Sequence, residues 1–259
     1  MIPLKDHAGP RRRFPFVTYS LIIINVAVFL LELDQGATTQ QFICAYSLVP
    51  EALTHNLSQT MICAQEFGQP FPYQTPNPIW LTIFTSMFLH AGWLHIGGNM
   101  LFLYIFGDNV EDRLGHLGYL IFYLLCGTAA ALAQTYVDPT STIPSLGASG
   151  AIAGVLAAYA VFFPGARVTT LIFLGIFITL LSLPALILIG AWFALQLFDG
   201  VAALSSQTQQ AMGGIAYFAH IGGFVVGLLI ALVLRPLLPK PIPRTRTYPR
   251  WPTHPETRW

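Results

Sequence analysis

Four polar side chains stand in stretches that are otherwise apolar, and their types could carry out acyl transfer. They are Ser149, His220, Asn99 and His95. A serine hydroxyl is a weak nucleophile until a base accepts its proton, and histidine, with a reference pKa of about 6.5, can do this near neutral pH. Amide and ring N–H groups can donate to the oxyanion that forms when serine attacks a carbonyl. No carboxylate accompanies them, so the set predicts a serine–histidine dyad rather than a triad.

Ser149 is predicted to begin a short helix inside a membrane. The residues after it are apolar up to Pro164, whose missing N–H ends the helix. At about 1.5 Å per residue they rise about 22 Å, less than the roughly 30 Å of bilayer hydrocarbon. The irregular stretch 139–148 must then lie at membrane depth, which requires surrounding protein or a water-filled cavity. Gly147, inside that stretch, leaves room for a substrate backbone.

Composition indicates a protein that crosses a membrane several times. Of 259 residues, 54% are hydrophobic and only 9% are charged, against about 25% charged in a typical soluble domain. The net charge of +1 argues against a nucleic-acid-binding protein.

The apolar stretches predict an all-α membrane protein, a bundle of six transmembrane helices. The spans are 17–33, 92–113, 117–136, 149–163, 184–198 and 217–234. Residues 168–200 are too long for one span and are broken at Pro184, so we interpret 168–183 as a re-entrant or in-plane segment before span five. An amphipathic stretch in the first loop, 42–53, is expected to lie in the membrane interface.

The basic residues set the orientation. All twelve Lys and Arg lie at the N-terminus, after spans two and four, or after span six, so the positive-inside rule places both termini in the cytoplasm of a cell-membrane protein. The predicted organisation is a cytoplasmic tail at 1–16, a six-span core at 17–235 with an extracytoplasmic loop at 34–92, and a cytoplasmic tail at 236–259. We expect the first span to be retained rather than cleaved.

Depth and helical faces bring the polar groups together. Ser149, His220 and Asn99 each lie fourteen or fifteen residues from the cytoplasmic end of their span, or roughly 21 to 22 Å. His95 and Asn99 are i and i+4, on one face. Glycines beside the serine and the histidine predict close packing of spans four and six, and so a hydrogen bond between Ser149 and His220. These glycines are Gly150, Gly154, Gly223 and Gly227.

Several motifs are similar to the signature motifs of the rhomboid intramembrane serine proteases. They are Gly147-Ala148-Ser149-Gly150, the cluster of His90, His95 and Asn99, Ala219-His220-Ile221-Gly222-Gly223 with Gly227, and the stretch 107–115. The resemblance covers about residues 82 to 234. It implies Ser149 as nucleophile, His220 as base, and His95 with Asn99 around the oxyanion.

The resemblance also implies transmembrane protein substrates in a lipid bilayer, a small residue before the scissile bond, and no metal, nucleotide or organic cofactor. Two departures from the family stand out. Ala153 replaces an aromatic residue that stacks on the histidine in some relatives, so another group must hold His220. The first loop lacks the Trp-Arg pair of the family, since no Arg occurs in 34–92.

Substrate access is expected past span five, whose Trp192, Phe193 and Phe198 could form a gate. This interpretation rests on bulk and position. Trp192→Ala is therefore expected to alter turnover without touching the dyad.

Other interpretations remain open. The polar residues could line a transport pathway, or the chain could bind membrane clients without cleaving them. His90, His95 and His220 could hold a metal, although no HExxH motif is present. Ser149 could be only a small packing residue, and His90 is expected to hold the loop above span two. Glu111 and Arg113 are expected to form an interfacial ion pair.

Three cysteines are present. Cys44 and Cys63 share the first loop, where a disulfide and two free thiols are equally compatible with the sequence, whereas Cys126 lies in an apolar span.

Overall fold

The computed structural model describes residues 2–57, 61–63, 71–76, 78–174, 177–203 and 216–239. The helices are α1 (Phe16–Asp34), α2 (Thr39–Tyr46), α3 (Pro50–Thr54), α4 (Thr82–Thr85), α5 (Trp93–Phe102), α6 (Asp108–Leu114), α7 (His116–Val137), α8 (Ser149–Phe162), α9 (Ala185–Ala203) and α10 (Tyr217–Leu234). The strands are β1 (Ile2–Asp6), β2 (Met61–Cys63), β3 (Phe71–Tyr73), β4 (Arg167–Leu174) and β5 (Phe177–Pro184). A π-helical turn, Leu103–Gly107, joins α5 to α6, and short 3-10 turns occur at Gly36–Thr38, Ile79–Leu81 and Ser86–Phe88.

Among the described residues, four helices are long and apolar enough to cross a membrane: α1, α7, α9 and α10. The pair Ile79–Phe88 and Trp93–Leu114 meets the same criterion together but is bent by 81°. The apolar helix α8 has only 14 residues, which rise about 21 Å. Predicted spans two and four correspond to Trp93–Leu114, the second member of the bent pair, and to α8, and the number of six spans stays a prediction.

α8 occupies the centre of the bundle. Most of its residues are buried, on every side of the helix, as expected for a helix that is apolar all round. α7 and α10 pack along it, and the buried core cluster includes residues from all three helices and from α1. Ser149 is the first residue of this central helix, so its position is fixed by the whole bundle.

Residues 167–174 and 177–184 correct the predicted all-α architecture. They form the antiparallel strands β4 and β5, which pair Arg167 with Pro184 and Leu174 with Phe177. Apolar length alone suggested a membrane-inserted segment. The side chains instead alternate with the period of two that is typical of strands: Val168, Thr170 and Ile172 are buried and the residues between them are less so. The segment is therefore a pair of strands between α8 and α9.

The first residues of the chain complete this sheet. β1 pairs with β4, giving the order β1-β4-β5. At the last paired residue of β1, the Asp6 carboxylate accepts a hydrogen bond from the Tyr159 hydroxyl at 2.7 Å and one from the Asn109 amide at 3.1 Å. Arg11 forms an ion pair with Asp108. Part of the predicted N-terminal tail, 1–16, is thus docked on the start of α6 and on the C-terminal half of α8.

Glu111 is fully buried, and its carboxylate caps the start of α1. Two backbone N–H groups of the first turn donate to it at 2.8 and 2.9 Å, the Thr18 hydroxyl donates at 2.7 Å, and His116 Nδ1 lies 2.6 Å away. These N–H groups have no partner within the helix. The predicted Glu111–Arg113 pair is wrong, because residues i and i+2 do not face each other on a helix. Arg113 lies over the Phe162 ring, 5.3 Å from its centroid.

The irregular segment before α8 is held by the first loop. Leu48 and Ser145 exchange backbone hydrogen bonds of 3.0 and 2.8 Å, and α3 donates a backbone N–H to Ser141 at 3.0 Å. The Gly147 N–H donates to the Ser86 carbonyl at 2.8 Å. Protein partners therefore satisfy polar backbone groups that lipid could not, as the sequence requires of this stretch.

The predicted interfacial stretch 42–53 is divided into α2 and α3, with residues 47–49 between them. Cys44, fully buried on α2, is disulfide-bonded, and Cys126 is a buried free thiol. The predicted partner, Cys63, has its side chain outside the described residues.

Glycines let α8 and α10 approach until their backbones touch. A Cβ at Gly223 would overlap the Gly150 carbonyl, and a Cβ at Gly227 would overlap the backbone of Gly154. The two predicted glycine faces thus meet each other, which is the packing that small residues permit between membrane helices.

We expect Gly227→Ala to destabilise the protein by about 1–3 kcal/mol, because the added methyl has no space between two backbones. Gly190→Ala is the matched control, since a Cβ there meets nothing within 4 Å. Denaturation of both variants in detergent, followed by circular dichroism, measures the difference. Equal unfolding midpoints would show that α8 and α10 do not pack as described.

Candidate active site

Ser149 lies where the irregular segment turns into α8. Gly147, two residues earlier, has a φ of +119°, a left-handed conformation that favours glycine. The turn places the Ser149 hydroxyl at the N-terminal end of α8, where backbone N–H groups lack helical partners. The serine is half-buried.

His220 contacts the serine from α10. Its Nε2 lies 2.7 Å from Ser149 Oγ, a short hydrogen-bonding distance. The close glycine contact between α8 and α10 makes this distance possible, with Gly150 and Gly223 one residue and three residues along from the two polar groups. Ser149 and His220, which the sequence predicts to lie at the same depth, are therefore in direct contact.

The second ring nitrogen and the ring surface of His220 contact residues of α9. Gln196 Oε1 lies 3.1 Å from His220 Nδ1, and the Trp192 ring lies 5.9 Å from the imidazole, centroid to centroid, at 46°. These residues hold the histidine in place of the aromatic residue that Ala153 replaces. The sequence interpretation missed Gln196, although a strongly polar side chain inside an apolar span is a functional candidate by default.

His95, Asn99 and Gly147 are neighbours beside the serine. A Cβ built on Gly147 would lie 2.8 Å from His95 Nε2 and 3.6 Å from Asn99 Nδ2. The Asn99 amide nitrogen is buried and has no hydrogen-bond partner among the described residues. The Ala91 N–H donates to His95 Nδ1 at 3.3 Å, so a neutral His95 carries its proton on Nε2, the atom nearest Gly147. Two N–H donors thus remain for a ligand.

His90 packs against His95. Its ring is buried and stands edge-on to the His95 ring, with centroids 5.1 Å apart. Its backbone N–H donates to the Glu32 carboxylate of α1 at 3.2 and 3.3 Å. The sequence interpretation did not single out Glu32, because its position near the end of the first span resembles an ordinary membrane boundary.

The three aromatic residues of the predicted gate have different surroundings. Phe193 stacks on Phe224 of α10 with centroids 3.9 Å apart, whereas Phe198 is 72% exposed. Trp192 lies beside His220, so the expectation that its replacement leaves the dyad untouched is wrong. α9 itself is the least buried of the four long apolar helices, with 17% of its apolar stretch buried against 28 to 39% in the other three.

In the part of the chain that the structure describes, no group of three or more His, Cys, Asp or Glu side chains is placed to hold a metal ion. The metal alternative therefore gains no support there. The geometry instead fits acyl transfer: a hydroxyl hydrogen-bonded to an imidazole, with N–H donors on the side of Gly147.

Comparison with known proteins identifies the relatives of the chain. Residues 77–237 match the Rhomboid domain. The chain is 31% identical over 217 residues to "Rhomboid protein 1, mitochondrial" of Saccharomyces cerevisiae, covering 82% of this chain and 51% of that protein. It is 31% identical over 153 residues to "Rhomboid-like protein 11, chloroplastic" of Arabidopsis thaliana, covering 59% and 44%.

A third relative is "Rhomboid protease GluP" of Bacillus subtilis, which is 30% identical over 145 residues, covering 56% of this chain and 24% of that protein. The chain thus matches about half or less of the length of each of these three relatives.

Proposed function

This chain belongs to the rhomboid family of polytopic membrane proteins, and from that premise we propose that it is an intramembrane serine endopeptidase acting on membrane-anchored proteins. The observation that carries the proposal is the 2.7 Å contact between Ser149 Oγ and His220 Nε2. The two named relatives that are proteases, "Rhomboid protease GluP" and "Rhomboid-type serine protease 2", support the reaction class.

The proposed reaction begins when His220 Nε2 accepts the proton of the Ser149 hydroxyl. The Oγ attacks the substrate carbonyl carbon, and the carbonyl electrons move to the oxygen. Asn99 Nδ2, His95 Nε2 and the Ser149 backbone N–H donate to that oxyanion. The imidazolium then protonates the leaving amine, and water, deprotonated by His220, hydrolyses the acyl-enzyme.

We propose a membrane-spanning helix that unwinds near Ser149 as the substrate, because a helix hides its carbonyls in internal hydrogen bonds. Access is past α9, the least buried of the long apolar helices. The proposed topology has six spans, counting α8 and the bent pair, and a cell-membrane location with both termini in the cytoplasm.

A fluorophosphonate probe tests the activated serine. We expect the detergent-solubilised protein to be labelled, and we expect Ser149→Ala and His220→Ala to reduce the labelling rate by at least about a thousandfold. Ser145→Ala is the matched control, because Ser145 is held through its backbone. Labelling is measured by in-gel fluorescence.

Absence of labelling in the folded wild type, with the probe able to reach the cavity, would favour client binding without cleavage. Labelling that persists in Ser149→Ala would place the nucleophile elsewhere. In both cases the proposed reaction is wrong.

The role of Asn99 is tested by Asn99→Leu, which keeps the size of the side chain and removes the donor. Because Asn99 Nδ2 has no described protein partner, we expect the fold to be retained. We expect kcat on a cleaved substrate to fall about a hundredfold to a thousandfold, since one oxyanion donor is lost. A kcat equal to that of the wild type would remove Asn99 from the oxyanion site.

The substrate residue before the scissile bond is proposed to be small, in keeping with the family. We expect replacement of Ala by Phe at that position of a cleaved test substrate to abolish cleavage, because the bulky side chain has to enter the crowded site beside Gly147. Product formation is followed by mass spectrometry. The same replacement several residues away is the control, and equal rates for the two substrates would contradict the proposal.

A further inference from the structure

Both ring nitrogens of His220 are within hydrogen-bonding distance of a neighbouring helix, one of α8 and the other of α9. Nε2 lies 2.7 Å from Ser149 Oγ, and Nδ1 lies 3.1 Å from Gln196 Oε1. The two ring nitrogens point in divergent directions, so these two contacts fix the orientation of the ring in its plane. Trp192, four residues before Gln196, lies against the ring from the same face of α9.

The contact with Gln196 determines which nitrogen carries the proton. A neutral imidazole has one N–H donor and one acceptor. An amide oxygen only accepts, so His220 Nδ1 donates to Gln196 Oε1 and Nε2 keeps its lone pair toward the Ser149 hydroxyl. If the amide NH2 faced Nδ1 instead, the proton would lie on Nε2 and the serine would have no base.

We propose that Gln196 is a positioning residue for the reaction proposed above, on which this inference rests. Its carbonyl oxygen holds His220 in the tautomer with the proton on Nδ1 and keeps accepting that N–H when Nε2 takes the serine proton. During attack the Oγ–H bond breaks, an Nε2–H bond forms, and the Nδ1–H bond stays intact. A neutral amide thus performs the orienting role that a carboxylate performs in a triad.

The surroundings of His220 assign this role to Gln196. Among the described residues, Gln196 is the side chain that hydrogen-bonds Nδ1, and no carboxylate hydrogen-bonds the ring. Gln134, on α7, provides a contrast. Its Oε1 accepts the backbone N–H of Ala219 at 3.3 Å, so it contacts the residue next to His220 without contacting the ring.

The first test is nitrogen NMR of the imidazole in protein labelled with ¹⁵N-histidine, with the His220 signals identified by their loss in His220→Ala. Protonated and unprotonated ring nitrogens have distinct shifts. In the wild type at pH 8 we expect the proton on Nδ1. In Gln196→Met, which keeps the length of the side chain and removes the acceptor, we expect a mixture of tautomers.

The second test is kinetic. We expect Gln196→Met to lower kcat about tenfold with an unchanged KM, because one hydrogen bond to the base is lost and substrate contacts are not. Gln196→Glu restores an acceptor at the same position and is expected to recover most of the activity at pH 8. Gln134→Met is the control, and we expect it to leave both the tautomer and kcat as in the wild type.

The outcomes separate this inference from the proposed function. If Ser149 in the wild type does not react, the proposed function is wrong, while the ring NMR of the same protein still decides whether Gln196 sets the tautomer. A proton on Nε2 in the wild type overturns the inference without any variant, even if Gln196→Met does not fold. An unchanged tautomer and kcat in folded Gln196→Met also overturn it.

Discussion

The direct backbone contact between α8 and α10 is the constraint on which the rest of the structure depends. Gly223 and Gly227 face Gly150 and Gly154 without intervening side chains, so Ser149 and His220 can reach hydrogen-bonding distance across two helices. Lipid gives little drive for helices to associate, so this packing has to come from close van der Waals contact. Some of the surrounding elements, such as α7, pack along these helices and maintain the contact. The others position the chain at the ends of the helices.

The shortness of α8 explains the remaining architecture. In the proposed topology a helix of 14 residues begins within the bilayer, so the preceding segment needs partners that lipid cannot supply. The first loop provides them through Leu48, α3 and Ser86. At the opposite end of α8, the strands β4 and β5, joined by β1, lie between α8 and α9 in the chain.

The sequence predicted the parts of this protein that depend on composition and spacing. The boundaries of α1, α7, α8 and α10 agree with the predicted spans to within one or two residues, because apolar length and Pro164 define them. The contact of Ser149 with His220 was predictable from their equal depth together with the glycine faces beside them. Gln196 and Trp192 as partners of His220, and Glu111 as a cap on α1, were not, because such contacts depend on how helices rotate and cross. The strands β4 and β5 were misassigned because their apolar content obscured their alternation.

The docking of the first strand has a consequence for biosynthesis. Ile2 pairs with Leu171, so β1 leaves the ribosome long before its partner exists. At about 5–20 residues per second, roughly ten to thirty seconds of translation separate the two strands. His220 emerges later still, on α10. Until α10 has been made, Ser149 of the nascent chain therefore lacks the imidazole that the proposed reaction requires.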